Sequence, residues 1–136
     1  MLSKLTRSPL PYILVWITIN IASGYFSGLY SDEAYYYAYT LFPAWGYFDH
    51  PPMIAWVIKI GDFFAHQELG IRAVSILLST GSILLIRSLT LRKYDKYFWL
   101  LIFASFPMHL FGFMALPDTP FLFFTCLFFA QYKRYL

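Results

Sequence analysis

Three of the chain's seven carboxylates lie within one short stretch, residues 31–52, which reads SDEAYYYAYTLFPAWGYFDHPP. They are Asp32, Glu33 and Asp49, and His50 directly follows the last of them. Carboxylates held at the edge of a membrane can act as general bases or bind hydroxyl-rich and cationic ligands. Another interpretation stays open, in which Ser31 caps a short helix, the acids lie in its first turn, and the tyrosines form an interfacial aromatic belt.

The rest of the chain is too apolar for a soluble domain. Of its 136 residues 60% are hydrophobic, 23% are aromatic and only 12% are charged. This composition predicts an all-α integral membrane protein. The net charge of +3 is spread over short breaks and forms no basic stripe, so it gives no support to nucleic-acid binding. The single cysteine, Cys126, excludes an internal disulfide.

About four segments are long and apolar enough to cross a membrane as helices. The segment between the first and the second, residues 31–70, is predicted to form one or two juxtamembrane helices. Part of it, Met53–His66, carries Lys59, Asp62 and His66 along one helix face, so it is predicted to lie at the membrane surface. The predicted spans are 10–30, 73–91, 97–116 and 119–134.

The distribution of charge predicts the topology. If 53–66 does not cross, then Lys4 and Arg7, the basic loop 92–96 and the basic C-terminal end all lie on the cytoplasmic side, as the positive-inside rule expects. Asp118, which precedes the fourth span, then lies on the outer face together with the acids of 31–52. The predicted protein is multi-pass, with its N-terminus in the cytoplasm.

Four short motifs resemble the polytopic GT-C-type glycosyltransferases, in particular the bacterial glycosyltransferase family 39 proteins. Those proteins are akin to protein O-mannosyltransferases and to the aminoarabinose transferase that modifies lipid A. The order and the spacing of the motifs both fit the family, and together they cover most of 31–136. They are the Asp32-Glu33 pair, YFDHPP at 47–52, GIR at 70–72 and LPDTP at 116–120.

The resemblance implies transfer of a sugar from a polyprenyl-phosphate carrier to an acceptor on the outer, periplasmic face of the bacterial inner membrane. The acceptor would be the hydroxyl of a glycan, a lipid or a protein. In that picture Asp32 matches the catalytic base, Glu33 its companion, and Asp118 a second acid that faces the same cavity. As an alternative, Asp118 only caps the fourth helix.

The resemblance also implies a site for the lipid phosphate. Asp49 and His50 match an acidic–basic pair before two prolines, whose basic member faces that phosphate, and Arg72 would add positive charge. As an alternative, Arg72 is only an interfacial anchor. No cofactor is expected, because the lipid-linked sugar is a substrate. The spacing of the acids and histidine fixes no metal coordination set, and a divalent ion stays open.

Enzymes of this family are much longer, so the resemblance also implies that the chain is the N-terminal part of a larger enzyme. The missing C-terminal part would then be a partner, besides membrane lipid. A different class of function is a non-catalytic four-helix interaction or assembly subunit, or an inactive truncated homologue. A transporter is disfavoured, because the ionisable residues gather at one surface and do not line the middle of the spans.

Overall fold

The computed structural model describes residues 8–65 and 67–136. These residues form seven α-helices and a single turn of 3-10 helix at Arg92–Tyr94, with no strand among them, which confirms the predicted all-α class. The α-helices are α1 (Leu10–Phe26), α2 (Ser31–Leu41), α3 (Met53–Phe64), α4 (Gln67–Leu89), α5 (Asp95–Ala104), α6 (Phe106–Phe113) and α7 (Asp118–Tyr135).

Helix α4 is the centre of the fold, and α1, α3, α6 and α7 all pack against it. Its 23 residues extend about 34 Å at ~1.5 Å per residue. By length and composition it is the one described helix that could cross a membrane by itself. It begins at Gln67, earlier than the predicted start at residue 73, so Gly70 and Arg72 lie inside a helix and not in the loop before it.

Two sharp bends divide the other apolar segments. Helices α1 and α2 meet at 83°, and α6 and α7 meet at 105°. If each bent pair is taken as one broken span, the described residues hold up to three candidate spans, compared with the four that the sequence predicts. The coarser prediction, a helical chain with at least one helix able to cross a membrane, agrees with the structure.

The predicted third span, 97–116, is two short helices, α5 and α6. The break has a local cause: Pro107 has no N–H to donate to the carbonyl of Phe103, four residues earlier, as a continuous helix would require. The imidazole Nε2 of His109 lies 3.0 Å from that carbonyl oxygen and serves as its partner. His109 therefore stabilises the break from inside the bundle.

Helix α3 packs closely along α4. The two backbones approach so closely that a Cβ on Gly61 would lie 2.3 Å from the carbonyl oxygen of Gly70. The 12 residues of α3 extend only about 18 Å, too short to cross a ~30 Å hydrocarbon core. On the predicted polar face Lys59 is exposed and Asp62 is half-buried. The third residue of that face, His66, lies outside the described residues, as do Lys4 and Arg7 of the topology prediction.

Candidate functional site

Helix α2 presents four polar side chains on one face. Asp32, Tyr35, Tyr36 and Tyr39 follow each other at the i, i+3, i+4 and i+7 spacing of a single helix face. The helix begins at Ser31 with Tyr30 as its N-cap, whose backbone N–H donates to the carboxylate of Glu33, so Ser31 does not have the capping role that the sequence allowed. Three of the tyrosines of the aromatic-belt interpretation, Tyr35, Tyr36 and Tyr39, contact Asp49 or His50.

Asp49 ties the loop 42–52 to this face of α2. The hydroxyl of Tyr39 donates a hydrogen bond to Oδ1 of Asp49 at 2.5 Å, and the hydroxyl of Tyr35 donates one to Oδ2 at 2.9 Å. Because these bonds favour the charged form, the first more than the second, they lower the pKa of Asp49 below its ordinary value. Asp49 is therefore a carboxylate at neutral pH.

Tyr47 adds a second attachment between the loop and α2. Its ring stacks on that of Tyr39, with centroids 3.8 Å apart and planes 3° from parallel. Its hydroxyl donates to the carbonyl of Tyr39 at 2.8 Å, and the carbonyl of Phe42 is 3.1 Å from the same hydroxyl. These carbonyls are near the C-terminal end of α2, where carbonyl groups have no backbone N–H partner within the helix. The YFDHPP motif is thus a loop fixed on helix α2 by its own aromatic and acidic residues.

His50 meets Tyr36 at the centre of the site. The hydroxyl of Tyr36 lies 3.2 Å from Nε2 of His50, and the two rings are edge to face with centroids 5.1 Å apart. Oδ2 of Asp49 is 3.6 Å from the same nitrogen. The side chain of His50 is 34% exposed, whereas Tyr36 is 8% exposed. An imidazole open to the outside is therefore supported by a buried phenol.

Three carboxylates gather around that phenol. Burial raises the pKa of Tyr36, and the charges of Asp32, Asp49 and Asp118 raise it further, with a smaller effect of Tyr35. Asp32 and Asp118 are exposed. Asp118 is the first residue of α7, where Pro117 is the N-cap and no side chain caps the helix, so the capping alternative for Asp118 is not observed. Of the six predicted site residues, Asp32, Asp49, His50 and Asp118 are brought together.

The other two predicted residues, Glu33 and Arg72, are buried and bonded to each other. Nε of Arg72 donates to Oε1 of Glu33 at 2.8 Å, and Nη2 donates to Oε2. The remaining N–H groups of Arg72 donate to the carbonyls of Gly24, Ser27 and Gly28 at 2.8, 2.9 and 2.8 Å. Arg72 has thus satisfied its donors within the chain, and it is not an interfacial anchor because its exposure is 0%.

Glu33 is satisfied in the same way. Besides Arg72, its carboxylate accepts hydrogen bonds from the backbone N–H of Tyr30 at 3.2 Å and from that of Ala115 at 3.0 Å. Ala115 is three residues before Asp118, and Glu33 directly follows Asp32. The buried pair therefore fixes the positions of two exposed acids, and it presents neither a carboxylate oxygen nor a guanidinium donor to a ligand.

An apolar groove of about 620 Å³ opens beside the acids. Pro51, which follows His50, and Pro117, which precedes Asp118, both line it. The groove continues along α7 as far as Phe129, about 18 Å from Pro117 at ~1.5 Å per residue. Its other lining residues are Met53, Ile54, Pro120, Phe121, Phe124, Thr125 and Phe128.

Within residues 8–65 and 67–136, no three His, Cys, Asp or Glu side chains are placed so as to hold a metal ion. The carboxylate of Asp49 is bonded to two tyrosine hydroxyls. Comparison with known proteins found no matching family model, no matching curated protein and no matching solved structure. The assignment of a function therefore rests on the residues and geometry of this chain alone.

Proposed function

We propose that the chain is the N-terminal part of a membrane glycosyltransferase that uses a polyprenyl-phosphate-linked sugar, with its site on the outer face of the bacterial inner membrane. One observation carries the proposal. The hydroxyl of Tyr36 contacts the imidazole of His50 and feels the charges of three carboxylates, and an apolar groove is lined by Pro51 and Pro117, the chain neighbours of His50 and Asp118. A lipid-linked sugar has the matching character, because an apolar chain is joined through phosphate to a hydroxyl-rich head.

Asp32 is the proposed general base. It is exposed, whereas the carboxylate of Asp49 is occupied by two tyrosine hydroxyls and that of Glu33 is buried. The acceptor oxygen forms a bond to the anomeric carbon while its proton passes to Asp32. The bond from the anomeric carbon to the phosphate oxygen breaks, and its electron pair leaves with the phosphate. Asp118 is a second acid for hydroxyl groups of the bound sugar.

The groove is the proposed site of the polyprenyl chain. Its walls are phenylalanine and proline side chains with one threonine hydroxyl, and they begin next to His50 and Asp118. Burial of a chain there releases about 0.8 kcal/mol per CH₂ group that leaves water, although less when the chain comes from lipid. His50 then lies where the chain's phosphate must emerge, and it is the proposed hydrogen-bond donor to that leaving group.

The proposal also includes the membrane arrangement. In it α2, the loop 42–52 and the start of α7 lie on the outer face, and the loop 92–96 lies on the cytoplasmic face. The bends of 83° and 105° both occur next to the acids, after α1 and before α7. Backbone bends of this kind are tolerated at membrane depth only where protein or a water-filled cavity covers them. A complete GT-C-type bundle of four or more spans would provide that cover.

A second candidate function is a non-catalytic interaction or assembly subunit. It is favoured by the finding that Glu33 and Arg72, which belong to two of the four family-like motifs, are bonded only within the chain. These two residues can therefore serve to stabilise the fold in a protein that has no catalytic activity. The same finding agrees with the enzyme, in which the pair would position Asp32 and Asp118.

The test compares Asp32→Asn with Asp62→Asn in the complete polypeptide that contains this chain, in membranes supplied with a polyprenyl-phosphate sugar. Asp62 is half-buried on α3 and lines a different cavity, so it is a matched control. Asp32→Asn should lower turnover by roughly 10²–10⁴-fold, because the amide keeps the shape but cannot take a proton. Full turnover in Asp32→Asn at normal expression would show that Asp32 is not the general base. No turnover even in the wild-type polypeptide would favour the non-catalytic subunit.

A further inference from the structure

Tyr36 and His50 contact each other in a way that limits where the imidazole can carry its proton. Both polar contacts of His50 within the described chain are at Nε2, namely the hydroxyl of Tyr36 at 3.2 Å and Oδ2 of Asp49 at 3.6 Å. The second is too long for a hydrogen bond, and that oxygen already accepts one from Tyr35. The hydroxyl of Tyr36 is therefore the hydrogen-bond partner of Nε2.

The hydroxyl of Tyr36 keeps its proton at neutral pH. Burial and the surrounding charges of Asp32, Asp49 and Asp118 raise the pKa of Tyr36 above its ordinary value. A buried hydroxyl needs an acceptor, and Nε2 of His50 is the acceptor that it meets. When the imidazole is neutral, Nε2 therefore accepts from Tyr36 and the ring proton is on Nδ1. When the imidazole is protonated, Nδ1 carries a proton as well.

We propose that Tyr36 is a positioning residue that fixes His50 as the Nδ1–H tautomer, so that Nδ1 offers a hydrogen-bond donor to an anionic oxygen at the mouth of the apolar groove. The tautomer follows from the contacts, whereas the identity of the oxygen as a lipid phosphate rests on the proposed function. A donor that is present in both protonation states suits an anion among three carboxylates, because recognition then does not depend on the charge of His50.

The first measurement is the ¹⁵N spectrum of the histidine rings in the full chain, reconstituted in lipid nanodiscs near pH 8. The chain has three histidines, and His50→Gln identifies the signal of His50. In the wild-type chain the Nδ1 signal should be that of a protonated nitrogen. Tyr36→Phe removes only the hydroxyl, and Asp49 is then the group nearest to Nε2. The ratio of tautomers should therefore shift toward Nε2–H by about five- to ten-fold, the loss expected for one hydrogen bond.

Tyr37→Phe is the matched control, because it removes a phenol hydroxyl from the next residue without changing the contacts of His50. Its histidine spectrum should be that of the wild type. A proton on Nε2 in the wild-type chain, or an unchanged ratio in Tyr36→Phe, would overturn the proposal. The wild-type spectrum alone shows which ring nitrogen of His50 carries the proton, even if Tyr36→Phe does not fold.

The second measurement uses farnesyl phosphate as the probe, with farnesol as the control without phosphate. Farnesyl phosphate should shift the Nδ1–H signal of His50, and its apparent Kd should rise about five-fold in Tyr36→Phe. Farnesol should leave that signal unchanged. If the Nδ1–H tautomer is present but farnesyl phosphate does not perturb it, the phosphate ligand of the proposed function is wrong and the role of Tyr36 in fixing the tautomer still holds.

Discussion

Glu33 and Arg72 lie 39 residues apart in the sequence, and in the structure they form an ion pair in which both side chains are 0% exposed. The pair joins the C-terminal end of α1, the first turn of α2, helix α4 and the segment before α7. Such a pair is stable only when all of its donors and acceptors are satisfied, as they are here. The exposed acid Asp32 lies in the first turn of α2, and Asp118 directly follows the segment before α7, so the pair positions both.

Glu33→Gln should therefore lower the free energy of unfolding by about 3–5 kcal/mol, because the guanidinium of Arg72 stays buried without its counter-charge. Asp32→Asn is the control at the neighbouring, exposed position, and it should change stability by no more than about 0.5 kcal/mol. Both variants can be compared by denaturant unfolding in detergent micelles. Equal stability of the two variants would contradict the structural role of the pair.

The sequence predicts the helical class and the location of the site, but not this pairing. The composition and the long apolar runs require helices, and the acids of 31–52 stand out in an apolar chain. Glu33 next to Asp32 resembles a second catalytic acid, and Arg72 resembles a cation at the membrane edge. Which of two neighbouring acids turns inward is decided by contacts with Arg72 and Ala115, which are distant in the sequence.

Two other structural features that were not predicted, the break in the span 97–116 and the tyrosine face of α2, had local signals in the sequence. Pro107 lies in the middle of the predicted span 97–116, and a proline there removes a helical donor and marks a break. The tyrosines of α2 follow Asp32 at helical spacing, which would have placed Tyr35, Tyr36 and Tyr39 on the same helix face as the acid. Their bonds to Asp49 and His50 depend on how the loop folds back, which spacing alone does not determine.

The attachment of the loop 42–52 to α2 should weaken in acid. The bonds from Tyr39 and Tyr35 hold the pKa of Asp49 below its ordinary value of 3.8. A lowered carboxyl pKa stabilises the folded form fully above that ordinary value, and the stabilisation is lost as the pH falls through the folded value. The wild-type loop should therefore be better protected from pepsin at pH 5 than the loop of a Tyr35→Phe/Tyr39→Phe double variant.

That protection should disappear as the pH falls below 3.8 and through the lowered pKa of Asp49, where its carboxylate becomes protonated. The measurement is the rate of cleavage within 42–52 at a series of pH values for both proteins. The double variant removes only two hydroxyls, so a difference that persists or grows in acid would show that Asp49 does not hold the loop.

The proposed topology puts Phe48 on the periplasmic face of the inner membrane and Tyr94 on the cytoplasmic face. Both side chains are exposed, and the single native cysteine, Cys126, is buried and can be replaced by alanine. In intact cells a membrane-impermeant maleimide should label Phe48→Cys but not Tyr94→Cys, and after permeabilisation it should label both. Labelling of Tyr94→Cys from outside would contradict the positive-inside assignment.

The groove along α7 gives the last prediction, which concerns the length of the lipid donor. Thr125 lines the groove, and a tryptophan in its place would fill part of the space that a polyprenyl chain needs. The displaced part of the chain returns to lipid and not to water, so each methylene group costs less than ~0.8 kcal/mol, and the KM for a long-chain donor should rise about two- to five-fold. The kcat should change little, because binding that is equal in the ground state and the transition state affects mainly KM.

The matched control is Leu77→Trp, on an exposed position of α4 that does not line the groove. A donor with a single short isoprenoid chain supplies a second control, because it does not extend to Thr125, and its KM should be the same in both variants and the wild type. The ratio of the KM for the long-chain donor to the KM for the short-chain donor thus distinguishes a blocked groove from a change in the position of the acids. If Thr125→Trp raises the KM for short and long donors equally, or for neither, the polyprenyl chain does not lie along α7.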